Sequence, residues 1–249
     1  MKVAVTGAGG FVGGHVLRAL EQVDGCEVVA VVRPATKDIR LTPNAREMRF
    51  DLGDTTDDVF DRLGRPDVLI HLAWGGLPNY MSLHHFEDEL PAQYRFLSTM
   101  VAGGLGAALV TGTCFEYGMA NGALTEDMTP APANPYSFAK VALLRQLEFL
   151  QAKIPFALTW ARLFYMWGPG QAPTSIYPLL AAAAARNDAV FPMSGASSCA
   201  TISRSRKWRA CLSRWRFGAR MQGWSTSVRV GRSRCERWSS GGSRSKAGR

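Results

Sequence analysis

The sequence predicts an α/β chain wound on both faces of a parallel sheet, and three observations carry that prediction. An apolar run, Val3-Ala4-Val5, passes directly into a glycine-rich stretch, Thr6-Gly7-Ala8-Gly9-Gly10-Phe11-Val12-Gly13. Strand-like apolar segments then alternate with segments of helical period, the signature of successive β-α units. Further on, Pro135-Tyr136-Ser137-Phe138-Ala139-Lys140 sets a phenol and an amine four residues apart, which on a helix puts them one turn apart on the same face.

Residues 1–6 form the first predicted strand. Phe11, Val12, Val16, Leu17 and Leu20 recur at helical spacing, so the glycines open a helix over residues 11–20. Residues 27–32 give a second strand. This strand-turn-helix-strand order is the context a dinucleotide fingerprint requires, here spaced Gly-x-x-Gly-x-x-Gly. Gly7 permits the tight turn, Gly10 lets backbone approach a pyrophosphate, and Gly13 lets the helix pack on the sheet. Phe11 and Val12 bring helix N-terminal amides, and the dipole behind them, to the phosphates. At the end of the second strand an acid would bind the adenosine ribose hydroxyls. Val31-Val32-Arg33-Pro34 carries none, and the cations Arg33 and Lys37 suit a phosphate. NADP is therefore expected over NAD, with NAD the alternative.

Residues 109–113 read as a strand ending at Thr113. The helix carrying Tyr136 and Lys140 continues through Leu143, Leu144, Leu147 and Leu150, a stripe that buries it on the sheet. Residues 156–160 form a further strand. An ammonium beside a phenol favours phenolate and is expected to lower the Tyr136 pKa, making it a usable proton donor or acceptor. Trp74-Gly75-Gly76 lies where a pocket-lining loop or an apolar anchor would fit. His84-His85 and Cys114 lack partners at metal-ligand spacing, so no metal is expected.

With these motifs in order, residues 1–195 resemble the extended short-chain dehydrogenase/reductase family of sugar-nucleotide epimerases, dehydratases and ketoreductases. Asp51-Leu52 matches the family's adenine contact after its third strand, and Leu72 and Ala73 of His71-Leu72-Ala73 match residues lining the cofactor after the fourth. Glu116-Tyr117-Gly118 matches the Val-Tyr-Gly turn, which places Thr113 at the active-site Ser/Thr. Arg162-Leu163-Phe164 and Gly168-Pro169 resemble the Arg-x-x-Asn-x-Tyr-Gly-Pro segment after the sixth strand. The resemblance implies a Rossmann domain and hydride transfer at a carbonyl. In that scheme Thr113 bonds the substrate oxygen, Tyr136 passes the proton, and Lys140 tunes Tyr136 while holding the nicotinamide ribose.

Departures from the pattern narrow the reaction. Family dehydratases follow the active-site Thr with Asp-Glu, whereas Thr113 is followed by Cys114-Phe115, and neither replaces a carboxylate pair at neutral pH. The family's Asn and Tyr before Gly-Pro are replaced by Tyr165 and Trp167. The expected substrate is a nucleotide-linked sugar and the expected reaction is 4-ketoreduction of a 4-keto-6-deoxy sugar nucleotide. A 4-epimerase and a non-catalytic NADP-binding protein are the alternatives, and a homodimer stays open.

Composition divides the chain. Of the 29 Lys and Arg, fourteen lie from residue 195 onward, beside one acid, Glu236. The remaining fifteen cations and nineteen acids give residues 1–194 an ordinary negative balance. The tail holds Trp208, Trp215, Trp224 and Trp238 but few aliphatic residues, and it shows no periodicity from which to build a core. It is expected to be disordered, with residues 1–195 folding as a single domain. Codons for residues 196–206 can be chosen so that the neighbouring frame reads GEQLRDYLPVE, like the family's Arg-Asp-Tyr/Phe-x-x-Val segment. Codons for residues 220–232 likewise admit TDAGVVNVCSGR, like the strand that follows. The expectation is that residues 196–249 are read out of frame and stand in for the family's substrate lobe. Were the tail genuine, its Arg and Trp would suit nucleic acid instead. The sequence shows no signal peptide or membrane span, and Cys26 and Cys114 outside the tail suggest no disulfide framework. A cytoplasmic enzyme is expected.

Overall fold

The computed structural model describes residues 1–191 apart from 38, 121 and 189, together with the backbone of Ile202–Arg204. Six parallel strands form one sheet in the order β3-β2-β1-β4-β5-β6. They are β1 (Lys2–Thr6), β2 (Glu27–Val32), β3 (Ala45–Arg49), β4 (Val68–His71), β5 (Ala107–Thr113) and β6 (Ala157–Leu163). The connections are α1 (Phe11–Leu20), α2 (Val59–Arg62), α3 (Leu90–Ala102) and α4 (Pro135–Lys153). The order reverses at β1 and β4, and in open α/β sheets ligands bind in the crevice at such a switch point. The expected doubly wound class is the observed one.

Alternation along the strands divides the core into two layers. Val3 and Val5 of β1 point to one face, where Val16, Leu17 and Leu20 of α1 meet Val28, Ala30, Val32 and Ile70. Ala4, between them, points to the other face with Val29, Leu69 and Val110, under Phe96, Leu97 and Met100 of α3 and Leu143 and Leu147 of α4. A strand buried on both faces must be apolar throughout, which is why β1, β2 and β4 read as short unbroken apolar runs. β3 is the edge strand, and its sequence Ala45-Arg46-Glu47-Met48-Arg49 is correspondingly polar.

Beyond β6, β7 (Tyr165–Trp167) pairs in parallel with β8 (Ile202–Arg204), and α5 spans Ile176–Ala185. β8 is regular structure within a tail whose composition predicted none. Pairing to an existing strand uses backbone groups and needs no side-chain periodicity. The rest of the region 196–249, with its expected disorder and altered frame, lies outside the described residues. Among the described residues no helix is long and apolar enough to cross a membrane.

Candidate active site

The glycine turn leads from β1 into α1. Gly7 adopts φ +68°, where a side chain is strained, and a Cβ there would also lie 2.9 Å from the Ala73 nitrogen. A Cβ at Gly13 would stand 2.3 Å from the Gly7 carbonyl oxygen, so only glycine lets α1 close onto the turn. Gly10 caps the helix, leaving the Phe11 and Val12 amides without intrahelical acceptors. Leu72 and Ala73, immediately after β4, abut Gly7, so two expected cofactor segments meet.

The loop after β2 folds back over this turn. Arg49 Nη1 donates to the carbonyls of Pro34 (2.9 Å) and Thr36 (2.7 Å). A cleft of about 310 Å³ results, lined by Ala8, Gly9, Gly10 and Gly14 and by the cations Arg18, Lys37 and Arg40. Lys37 is where the sequence expected it. Arg33 does not line this cleft: it is exposed past the end of β2, and Arg18 and Arg40 line it instead. Arg18 is carried there by the second turn of α1, a placement that no reading of the β2 terminus gives. Asp51 follows β3, and its Oδ1 accepts the Gly53 amide at 2.9 Å, capping a turn that includes the half-buried Leu52.

The catalytic candidates converge across the crevice. Thr113 ends β5, and its Oγ1 accepts the Phe115 amide at 3.3 Å, turning the chain into a short helical turn, Cys114–Tyr117. Asn134 starts α4, with its Oδ1 accepting the Ser137 amide at 2.9 Å and Pro135 following. That cap fixes the first turns of α4, placing Tyr136 and Lys140 under the sheet end, both buried. Lys140 Nζ donates to the Thr111 carbonyl at 2.9 Å. It also lies 3.8 Å from the centre of the Trp74 ring and 5.9 Å from that of Tyr136. Trp74 is held in place by donating its indole N–H to His85 Nδ1 at 3.1 Å, while His85 Nε2 donates to the Asn79 carbonyl at 2.8 Å.

The electrostatics correct one expectation. Burial pushes the Tyr136 hydroxyl up rather than down, with a hydrogen bond to Thr113 only partly opposing it and Tyr80, Glu116 and Cys114 adding to it. Lys140 itself is pushed down to about 7 by burial, against the attraction of Glu116 and Glu89. An ammonium that is costly to bury and already committed to a carbonyl and an indole face cannot outweigh the desolvation of the phenol.

A feature the motifs did not foretell supports this arrangement. Glu116 is fully buried, and it accepts from the Thr113 amide (2.8 Å), Trp160 Nε1 (3.1 Å) and Arg162 Nε (2.7 Å). Arg162 also donates to the Tyr117 hydroxyl at 3.2 Å. A buried ion pair thus fixes the backbone of Thr113 from β6. Glu116 and Arg162 stand in matched segments, but their pairing joins the turn after β5 to β6 and has no local sequence signal. Aromatic rings border the opening: Tyr80 and Phe115 are 5.0 Å apart, Phe115 and Tyr165 6.2 Å, and Tyr80 and Tyr136 5.6 Å. Among the described residues no group of three or more His, Cys, Asp or Glu side chains is placed to hold a metal.

Residues 3–209 match the model of the NAD dependent epimerase/dehydratase family. The chain belongs to that family. Over 196 residues it is 27% identical to a dTDP-6-deoxy-L-talose 4-dehydrogenase (NAD(+)) of Aggregatibacter actinomycetemcomitans, covering 78% of this chain and 72% of that relative. It is 24% identical over 188 residues to YtcB of Bacillus subtilis (strain 168), named an uncharacterized UDP-glucose epimerase, covering 70% of this chain and 59% of the relative. Among solved structures, MoeE5 in complex with UDP-glucuronic acid and NAD superposes with a TM-score of 0.72 at 29% identity. That match covers 86% of this chain and 71% of MoeE5. In this chain of the NAD dependent epimerase/dehydratase family, the glycine turn stands at the switch point of the sheet, where ligands bind in open α/β folds.

Proposed function

We propose that this protein is an NAD(P)-dependent oxidoreductase of nucleotide-linked sugars that reduces the ketone of a 4-keto-6-deoxy sugar nucleotide, with NADP preferred to NAD. The observation that carries this reading is the convergence of Thr113, Tyr136 and Lys140 at the ends of β5 and α4, across the crevice from the glycine turn. A bound nicotinamide dinucleotide supplies the hydride. Thr113 Oγ1 holds the ketone oxygen and the Tyr136 hydroxyl donates the proton to it. Burial keeps Tyr136 in its protonated, donating form, which suits reduction. Lys140, buried beside Tyr136, would hold the nicotinamide ribose.

Several features support the finer assignment. Cys114 and Phe115 give the site no carboxylate pair for dehydration. The relative from Aggregatibacter is named for redox chemistry at C4 of a 6-deoxy sugar. Tyr80, Phe115 and Tyr165 offer an apolar border, which fits a deoxygenated sugar better than a fully hydroxylated one. Arg18, Lys37 and Arg40 beside the glycine turn suit the additional phosphate of NADP. A homodimer through α4 is supported by Phe138 and Phe149, 54% and 77% exposed and eleven residues apart, hence on one face.

The experiment is single-turnover oxidation of NADPH with a 4-keto-6-deoxy sugar nucleotide, comparing wild type with Tyr136→Phe. The variant should bind NADPH normally and lose turnover by about a hundredfold or more. Retained turnover would remove Tyr136 from its role. Interconversion of two nucleotide sugars with no net NADPH consumption would make the protein a 4-epimerase.

A further inference from the structure

A chain of hydrogen bonds, buried at its inner end, leads away from the glycine turn; of its members only Glu89, through its attraction for Lys140, has entered the chemistry above. Thr6, at the end of β1, places its Oγ1 2.9 Å from His71 Nδ1, and His71 Nε2 lies 2.6 Å from Gln93 Oε1. Gln93 Nε2 donates to Glu89 Oε2 at 2.8 Å. Glu89 Oε1 lies 3.4 Å from Nε2 of His84, whose Nδ1 meets Asp88 at 2.8 Å near the surface. Thr6 and His71 have no exposed surface, and Gln93 has 2%.

The directions of these bonds follow from one end. A carboxylate only accepts, so Gln93 must turn its amide nitrogen toward Glu89 and its oxygen toward His71. His71 must then carry its proton on Nε2, leaving Nδ1 to accept from the Thr6 hydroxyl. Burial keeps the ring neutral, with its pKa pushed down to about 3, so no second ring proton blurs the assignment. The lone pairs of Thr6 Oγ1 are thereby left for the amides of Leu72 (3.2 Å) and Ala73 (3.3 Å). These residues abut Gly7, where the Ala73 nitrogen stands 2.9 Å from the position of an added Cβ.

We propose that Glu89 is a positioning residue for the dinucleotide site: by orienting Gln93, His71 and Thr6 in turn, it pins the end of β4 against the glycine turn. The relay carries orientation and not protons, since the Gln93 amide cannot take up a proton and pass it on. It rests on the reading of the crevice as a dinucleotide site, though its hydrogen-bond directions do not.

The test is a double-mutant cycle of Glu89→Gln and Thr6→Val, read by two measurements. Nitrogen-15 NMR of the histidine rings reports the His71 tautomer, assigned by its absence in His71→Gln. Wild type should show a single neutral form protonated at Nε2, and Glu89→Gln, whose amide both donates and accepts, should show both tautomers. Titration with NADPH and NADH should show each single variant weakening binding about tenfold, the loss of one well-made hydrogen bond. The double variant should be no weaker than either single one. An unchanged tautomer in Glu89→Gln, or losses that add, would overturn the proposal. If wild type binds neither dinucleotide, the assignment of the site fails, and the tautomer measurement still decides the relay.

Discussion

Replacing Lys140 by Met keeps an unbranched stem in the core and removes the one buried amine of the site. Burial holds the folded-state pKa of Lys140 at about 7, against about 10.4 in an unfolded chain. Between these values the unfolded chain binds more protons at this site than the folded chain, so stability rises with pH and is lowest when Lys140 is charged. The slope approaches about 1.4 kcal/mol per pH unit, so from about pH 7.5 to 9.5 the site adds roughly 2.5 kcal/mol. Other ionisable groups respond to pH as well, and burial pushes the Cys114 thiol up. They are shared by both proteins and cancel in the difference. Urea unfolding of wild type and Lys140→Met at constant ionic strength across this range measures that difference directly. The gap in unfolding free energy should shift in favour of wild type by roughly 2.5 kcal/mol as pH rises. Parallel curves would refute the argument, showing that Lys140 is solvated or paired well enough to titrate normally.

Glu116→Gln leaves the Arg162 guanidinium, 12% exposed, without its counter-charge and should cost about 3 kcal/mol or more. A urea midpoint shift corresponding to less than about 1 kcal/mol would show that the pair is not what fixes this turn. The dissociation constants of NADPH and NADH should differ in favour of NADPH, and Arg40→Ala should reduce that preference with little effect on NADH. Tighter NADH binding in wild type would sink the assignment to Arg18, Lys37 and Arg40. Sequencing the gene across codons 190–249 and beyond should find the neighbouring frame open and encoding the Arg-Asp-Tyr-Leu-Pro-Val string. A closed frame would refute the reading of an altered tail and return nucleic-acid binding to consideration.

Much of the fold is legible along the chain because its signals are local. Val3-Ala4-Val5 is apolar without interruption since β1 is covered on both faces, and the residues of α1 that pack on it recur at the helical period. Gly7 and Gly13 are legible because backbone geometry excludes side chains there. Thr113, Tyr136 and Lys140 were readable as candidates through motif order, and Asn134-Pro135 announces the start of the helix that carries two of them. Arg18 and Arg40 were not legible beside the glycine turn for an equally physical reason: position at a strand end says which residues come near that turn, but not which way a loop folds over it. Arg49, reaching from β3 to the Pro34 and Thr36 carbonyls, sets that fold.

The chain's own order of residues therefore determines the doubly wound class, the glycine turn and the identity of the candidate site side chains, since each depends on neighbours within a turn or a strand. Tertiary structure alone decides their chemical state. Tyr136 is raised and Lys140 lowered by desolvation, which depends on how completely Trp74, Tyr80 and the sheet end enclose them. Glu116 meets Arg162 across 46 positions, and Thr6 meets His71 across 65. Such pairings join residues that only the closing of the sheet brings together, and the low dielectric inside it is what gives each of them its weight.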